Sequence, residues 1–344
     1  MGGISLSEPD QQRLVAETSR VIWAMAAALL VAVCASYRIA NLSYQLSSGL
    51  KAGLAVAACV AISIGYRRWR PDPWISMGAE CTAQIAVILT LGMLISYPLA
   101  ALSFPYRDAE LHAIDRMLGL DWRAYLEFFN SHPVFSTICK LAYCSMPAQF
   151  ALVIAALVVT SNFQRLQHYI IATTLALTVT LGVFTLVPAV GSYVFLNIPV
   201  SEYATLMPSM TSEQARQIEA MRSAADFVIG AEQIEGLISF PSFHTICGVL
   251  FSWAVWPVRR LRWWVVALNA LLIAAVPIEG AHYFVDAIGG AVVAVFAVCV
   301  TGLVVPTLTI PFAIRFRPAG KAGSIDPSPR FTGHPGTSPR PPRA

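Results

Sequence analysis

Two short segments of this chain hold side chains able to do chemistry together. "FPSFH" (240–244) sets Ser242 two residues before His244, and "HYFVD" (282–286) sets His282 four residues before Asp286. A spacing of four puts an imidazole and a carboxylate on one face of a helix. There Asp286 can hold one ring nitrogen of His282 and leave the other free as a base or nucleophile. Both segments stand at the threshold of a long apolar run, where an unpaired imidazole or hydroxyl would cost free energy. The chain passes inward after His244, turns at "VRRLRWW" (258–264) and returns before His282, which brings the two histidines to the outer ends of adjacent helices. The other histidines lack such company: His112 sits on an amphipathic segment, His132 in an outer loop, His168 at a helix end and His334 in the tail.

The elements that must position these groups follow from composition. The 344 residues are 56% hydrophobic and 12% charged, with mean hydropathy +0.63, whereas soluble domains average about 25% charged residues. An all-α polytopic membrane helix bundle is expected, with apolar runs at 21–40, 48–66, 80–103, 136–160, 168–189, 242–257, 261–278 and 283–307, about eight spans. The first run reads as a retained helix; cleaved as a signal sequence, it would leave the remaining topology unchanged. Basic clusters at 67–71, 161–168, 258–264 and 315–321 all fall on one side under this count, which the positive-inside rule makes cytoplasmic. The net charge of +4 is confined to such clusters, which excludes a nucleic-acid-binding surface. The seven cysteines form no CxxC pair and read as small core hydrophobes.

On the outer side, "DAELHAIDRMLGLDWRAYLEFF" (108–129) reads as one or two amphipathic helices in the headgroup plane. Leu111, Ile114, Met117 and Leu118 share one face, and Trp122, Tyr125, Leu126 and Phe129 follow. Thr211 and Gln214 stand at capping-box spacing and start another helix. The chain thus divides into N-terminal transmembrane helices (1–104), a helix bundle carrying the chemistry (105–312) and a disordered, basic, Pro-rich cytoplasmic tail (313–344).

With these residues in view, "PSFH" resembles the P-S-G-H motif of the type 2 phosphatidic acid phosphatase superfamily, and "HYFVD" resembles the H-x-x-x-D half of its third motif. The bulky residue in place of the glycine, with "VPAVGSYVF" (187–195) and "AIDRMLGLDW" (113–122), is similar to the inositol phosphorylceramide synthase-like branch. The resemblance covers roughly 105–305 and is specific mainly at 240–245 and 280–290. It implies a metal-independent, cofactor-free mechanism at a phosphate ester. His282 would form a phosphohistidine, Asp286 would orient it, and His244 would protonate the departing oxygen. Ser242 and backbone N–H groups would bind phosphate oxygens.

The family's lysine and arginines are missing: 180–200 holds neither Lys nor Arg, and Val276 stands six residues before His282. Positive charge must therefore come from elsewhere; the outer-side candidates are Arg107, Arg116, Arg123, Lys140, Arg216 and Arg222, of which Arg107 and Lys140 flank helices at the same face. The expected partner is a phospholipid or isoprenoid phosphate in the membrane, with no nucleic acid, and the site faces the exterior, periplasm or lumen of a plasma membrane. Water as acceptor makes a phosphatase and an alcohol makes a phosphotransferase. A non-catalytic transporter or lipid-handling helper on the same scaffold is the rival class.

Overall fold

The structure is a computed structural model that describes residues 8–44, 46–102, 104–199, 212–223, 227–229 and 237–305. These described residues belong to one compact unit. The Pro-rich tail and the capping residue Thr211 lie outside the described residues.

The chain folds as an all-α bundle: α1 Glu8–Ile39, α2 Leu46–Arg68, α3 Pro73–Ala101, α4 Asp108–Met117, α5 Trp122–Ser131, α6 Pro133–Cys144, α7 Met146–Val159, α8 Phe163–Leu186, α9 Ser192–Phe195, α10 Ser212–Ser223, α11 Phe243–Val255, α12 Arg262–Glu279 and α13 Phe284–Val304. The only strand pairing among the described residues is a short parallel one, Leu42–Tyr44 against Phe227–Ile229.

Six of these helices, α1, α2, α3, α8, α12 and α13, are long and apolar enough to cross a membrane. The expected span at 136–160 is two helices, α6 and α7, bent by 57°. Pro147 lies in the first turn of α7, where it lacks an N–H and its ring clashes with a preceding carbonyl, so α6 cannot run on unbroken. The expected span at 242–257 is a 13-residue helix, α11, shorter than the roughly 20 residues of a full crossing. In α3 the helix starts well before residue 80: Asp72 accepts hydrogen bonds from the Trp74 and Ile75 N–H groups, and Pro73 occupies the first helical position.

One core joins α1, α3, α7, α8 and α11 through residues such as Ile22, Ile88, Leu157, Tyr169, Ile170 and Phe251. At one end of the bundle, Trp74 Nε1 donates to Ser161 Oγ at 2.9 Å and Arg165 donates to the Trp253 carbonyl. The basic clusters near 67–71, 161–168 and 258–264 therefore share that end. The opposite end is capped by α4 and α5, whose Trp122, Leu126 and Phe129 are buried as their pattern predicts, together with Tyr193, Val276 and Ile278. On α4 the outcome differs from the expected apolar face. Met117 and Leu118 are 77% and 55% exposed, and the buried side carries Asp108, Leu111 and Asp115. The cysteines also divide: Cys81, Cys139 and Cys247 are buried, whereas Cys34, Cys144 and Cys299 are exposed on the bundle's exterior.

Candidate active site

The turn between α12 and α13 presents His282. Its Nδ1 lies 2.9 Å from Asp286 Oδ2, and the same oxygen accepts the Tyr283 backbone N–H at 3.0 Å. An ionised carboxylate only accepts, so Nδ1 carries the proton and Nε2 keeps its lone pair. Both side chains are almost fully buried. Their placement depends on close backbone approach. A Cβ on Gly280 would stand 2.5 Å from His282 Cδ2 and 2.7 Å from the Val276 carbonyl oxygen. Ala281 is held at φ 54°, a left-handed conformation that costs a non-glycine residue about 1–2 kcal/mol. Its carbonyl accepts from the Ser192 N–H at 3.0 Å, which ties the turn to the 187–195 segment.

The other motif is joined to this turn by backbone. The Ser242 N–H donates to the Asp286 carbonyl at 3.0 Å, an approach that Gly290 permits, since a Cβ there would meet the Ser242 carbonyl oxygen at 2.5 Å. Ser242 is fully buried and caps α11, its Oγ accepting from the Thr245 N–H. The start of that helix leaves the Phe243 and His244 N–H groups without an intrahelical acceptor. His244 stacks on Tyr143 of α6, with ring centroids 4.0 Å apart and planes at 14°. Tyr143 Oη lies 3.2 Å from His244 Nδ1, a contact that leaves Nε2 as the second ring nitrogen.

The outer helices brace this arrangement with two carboxylates that sequence reading passed over. Asp115 accepts the Phe284 and Val285 N–H groups, both at 2.8 Å, and so caps α13 from outside. Asp108 accepts the Val190 and Gly191 N–H groups at 3.0 Å and the Tyr283 hydroxyl at 2.9 Å. Burial raises the pKa of each carboxyl above its ordinary value, against the lowering effect of those donors. The Tyr283 phenol is raised by burial and by the Asp108 charge beside it, so it stays a donor. Trp122 of α5 adds a bond from Nε1 to the His282 carbonyl at 3.1 Å. The available signal was the seven-residue spacing of Asp108 and Asp115, two turns apart on one face. Tyr143 had no such signal, because nothing in "KLAYC" marks it.

His244 and His282 open into a cavity of about 1100 Å³ lined at that end by Tyr143, Gly191, Ser239 and Gly280, and elsewhere by apolar residues of α3 and α7. Among the described residues, no lysine or arginine lines it. Arg107 stands at the start of α4 with its guanidinium on Glu110 at 2.7 Å, 45% exposed, and its backbone N–H on the Pro188 carbonyl. Lys140 lies on α6 one turn before Tyr143 and is half-buried. The structure thus brings together Ser242, His244, His282 and Asp286, and sets the two proposed cations outside the cavity wall.

The family model described as the PAP2 superfamily matches residues 109–300, more than half of the chain. No curated protein and no solved structure matches the chain.

Proposed function

Because the chain belongs to the PAP2 superfamily, we propose that it is an integral membrane lipid phosphatase or phosphotransferase that works through His282. The observation carrying this reading is the His282–Asp286 pair, buried and 2.9 Å apart, at one end of a cavity whose remaining walls are mostly apolar.

In the first half-reaction His282 Nε2 attacks phosphorus as the ester P–O bond breaks, giving a phosphohistidine. Asp286 keeps Nδ1 protonated and offsets the imidazolium charge. With substrate bound His244 is the imidazolium, its Nδ1–H donating to Tyr143 Oη, and it gives its Nε2 proton to the departing alkoxide, which leaves neutral imidazole. In the second half-reaction water or an alcohol attacks phosphorus, His244 takes that nucleophile's proton, and the P–N bond breaks to return His282. The Phe243 and His244 N–H groups at the start of α11 bind phosphate oxygens as the charge develops. Ser242 acts by holding that helix start in register with Asp286. Lys140 and Arg107 supply positive charge from the rim, Lys140 one turn from Tyr143 and Arg107 next to the 187–191 segment. The substrate's phosphate sits at the exterior face of the membrane, on the side opposite the basic clusters, and the mechanism calls for no metal.

The test is a phosphoenzyme assay. Purified protein and radiolabelled lipid phosphate should yield an acid-labile phosphoryl label that His282→Ala abolishes. Phosphate released without an added alcohol marks the phosphatase, and product formed only with an acceptor such as inositol marks the transferase. One observation favours a second reading, a non-catalytic lipid-handling protein: among the described residues the cavity wall has neither lysine nor arginine. Absence of label and of turnover across several lipid phosphates would establish that reading instead.

A further inference from the structure

The cavity continues far beyond the two histidines. On α3 its wall is a single stripe, Gly78, Thr82, Leu89, Gly92 and Ser96 among them, and on α7 a facing stripe runs from Met146 through Ala151 and Ala155 to Val158. At 1.5 Å per residue the α3 stripe is about 27 Å long and the α7 stripe about 18 Å. One leaflet of a bilayer contributes about half of a hydrocarbon core roughly 30 Å thick, so the groove reaches past the midplane. The ionisable and freely hydrogen-bonding side chains among the described lining residues stand at one end, His244, His282, Tyr143 and Ser239, whereas the Thr82 hydroxyl near the other end is spent on its own helix, donating to the Gly78 carbonyl at 2.8 Å. At the far end the two stripes converge: a Cβ on Gly78 would lie in ordinary van der Waals contact with Val158, at 3.6 Å. Thr82, Ala151 and Ala155 are exposed, so a chain can enter sideways along the groove.

We infer that this groove holds one hydrocarbon tail of the phosphate-bearing substrate, headgroup at His282 and methyl end toward Gly78 and Val158, and that its depth measures the tail. The inference rests on the proposed function for the headgroup end. Its own support is the continuity of the groove with the histidines, its apolar wall and its length, which exceeds the depth of a single leaflet. Small residues on α7 define graded depths: Ala151 lies about 8 Å and Ala155 about 14 Å beyond Met146.

Turnover of lipid monophosphates differing only in the length of one tail should show kcat/KM rising with length and then levelling where the groove ends. Ala155→Phe should move that break to shorter tails and lower kcat/KM for the longest tails about tenfold or more. Ala151→Phe should move the break further still. Val292→Phe, on the exposed outer surface of α13 (Val292 is 63% exposed), should leave the break where it is. Turnover with an unmoved break in both alanine variants overturns the tail groove while leaving the phosphatase reading intact. Wild-type protein supplies a second measurement that needs neither turnover nor a variant. A lipid phosphate with a photoreactive diazirine at its tail end should label the Gly78 and Val158 region of α3 and α7. Label confined to outward-facing residues such as Val292 overturns the inference, whether or not the protein is active.

Discussion

A nucleophilic imidazole needs a fixed tautomer and a fixed direction, and at His282 the two are set by different neighbours. Asp286 determines the tautomer by accepting from Nδ1. Direction comes from the turn itself, with Ala281 at φ 54° and Gly280 leaving no room for a Cβ between His282 and the Val276 carbonyl. Gly280→Ala must therefore push the imidazole or the end of α12 aside, since a contact of 2.5 Å is well inside van der Waals distance. A displacement of about 1 Å at a reacting group can cost on the order of 100-fold in rate. We expect kcat/KM to fall by about that factor, with phosphoenzyme formation slowed in parallel. Melting in detergent should drop by a cost typical of overpacking, about 1–3 kcal/mol. Rapid phosphoenzyme formation in this variant would show that the turn has slack that the backbone geometry does not suggest.

Among the elements, α4 does the work that its apolar pattern conceals. Its two buried carboxylates reach both loops of the site: Asp108 the 190–191 segment and Tyr283, and Asp115 the first turn of α13. A carboxylate at a helix N-terminus also faces the positive end of the helix dipole. Yet burial raises the Asp115 pKa in the folded protein, so the folded state holds the proton more tightly than the unfolded chain. The sign follows from linkage: the stability this group contributes is complete below the ordinary aspartate value and is lost as pH rises through the raised one. Asp115→Asn removes that titration. Relative to the variant, the wild type should therefore be most stable near pH 3.5, and its advantage should shrink as pH climbs through the raised value. Detergent melting of both proteins across that range measures it. A gap that widens with pH would mean that the Phe284 and Val285 N–H groups outweigh burial.

For the molecule as a whole, the bundle and the motif pair were legible in the sequence because each has a local signature. Apolar runs of about twenty residues announce helices, and a histidine four residues from an aspartate announces a shared helical face. What stayed hidden depends on long-range approach. Tyr143, on α6 just before the bend at Pro147, meets His244 across 101 positions of sequence. The α4 carboxylates find donors 82 and 169 positions away, at Val190 and Phe284. The groove wall is another such case, for α3 lies outside the family-matched residues 109–300 yet forms one of its two long sides. Besides the shared apolar core, a polar cluster ties α3 to α1 and α2. Glu80 accepts from Ser19 Oγ at 2.7 Å and Trp23 Nε1 at 3.3 Å on α1, and pairs with Arg67 on α2. Arg67 is 49% exposed, so its charge finds solvent or headgroups when unpaired, and that pair alone contributes about 0–1 kcal/mol. Ser19 is buried, and losing its acceptor costs about 1–3 kcal/mol. Glu80→Gln, which keeps an acceptor for Ser19 and Trp23, should therefore melt close to the wild type. Glu80→Ala should melt several degrees lower and should blur the tail-length dependence of turnover, because α3 is no longer fixed against α1. Equal melting of the two variants would mean that packing between α1 and α3, rather than this cluster, fixes the groove wall.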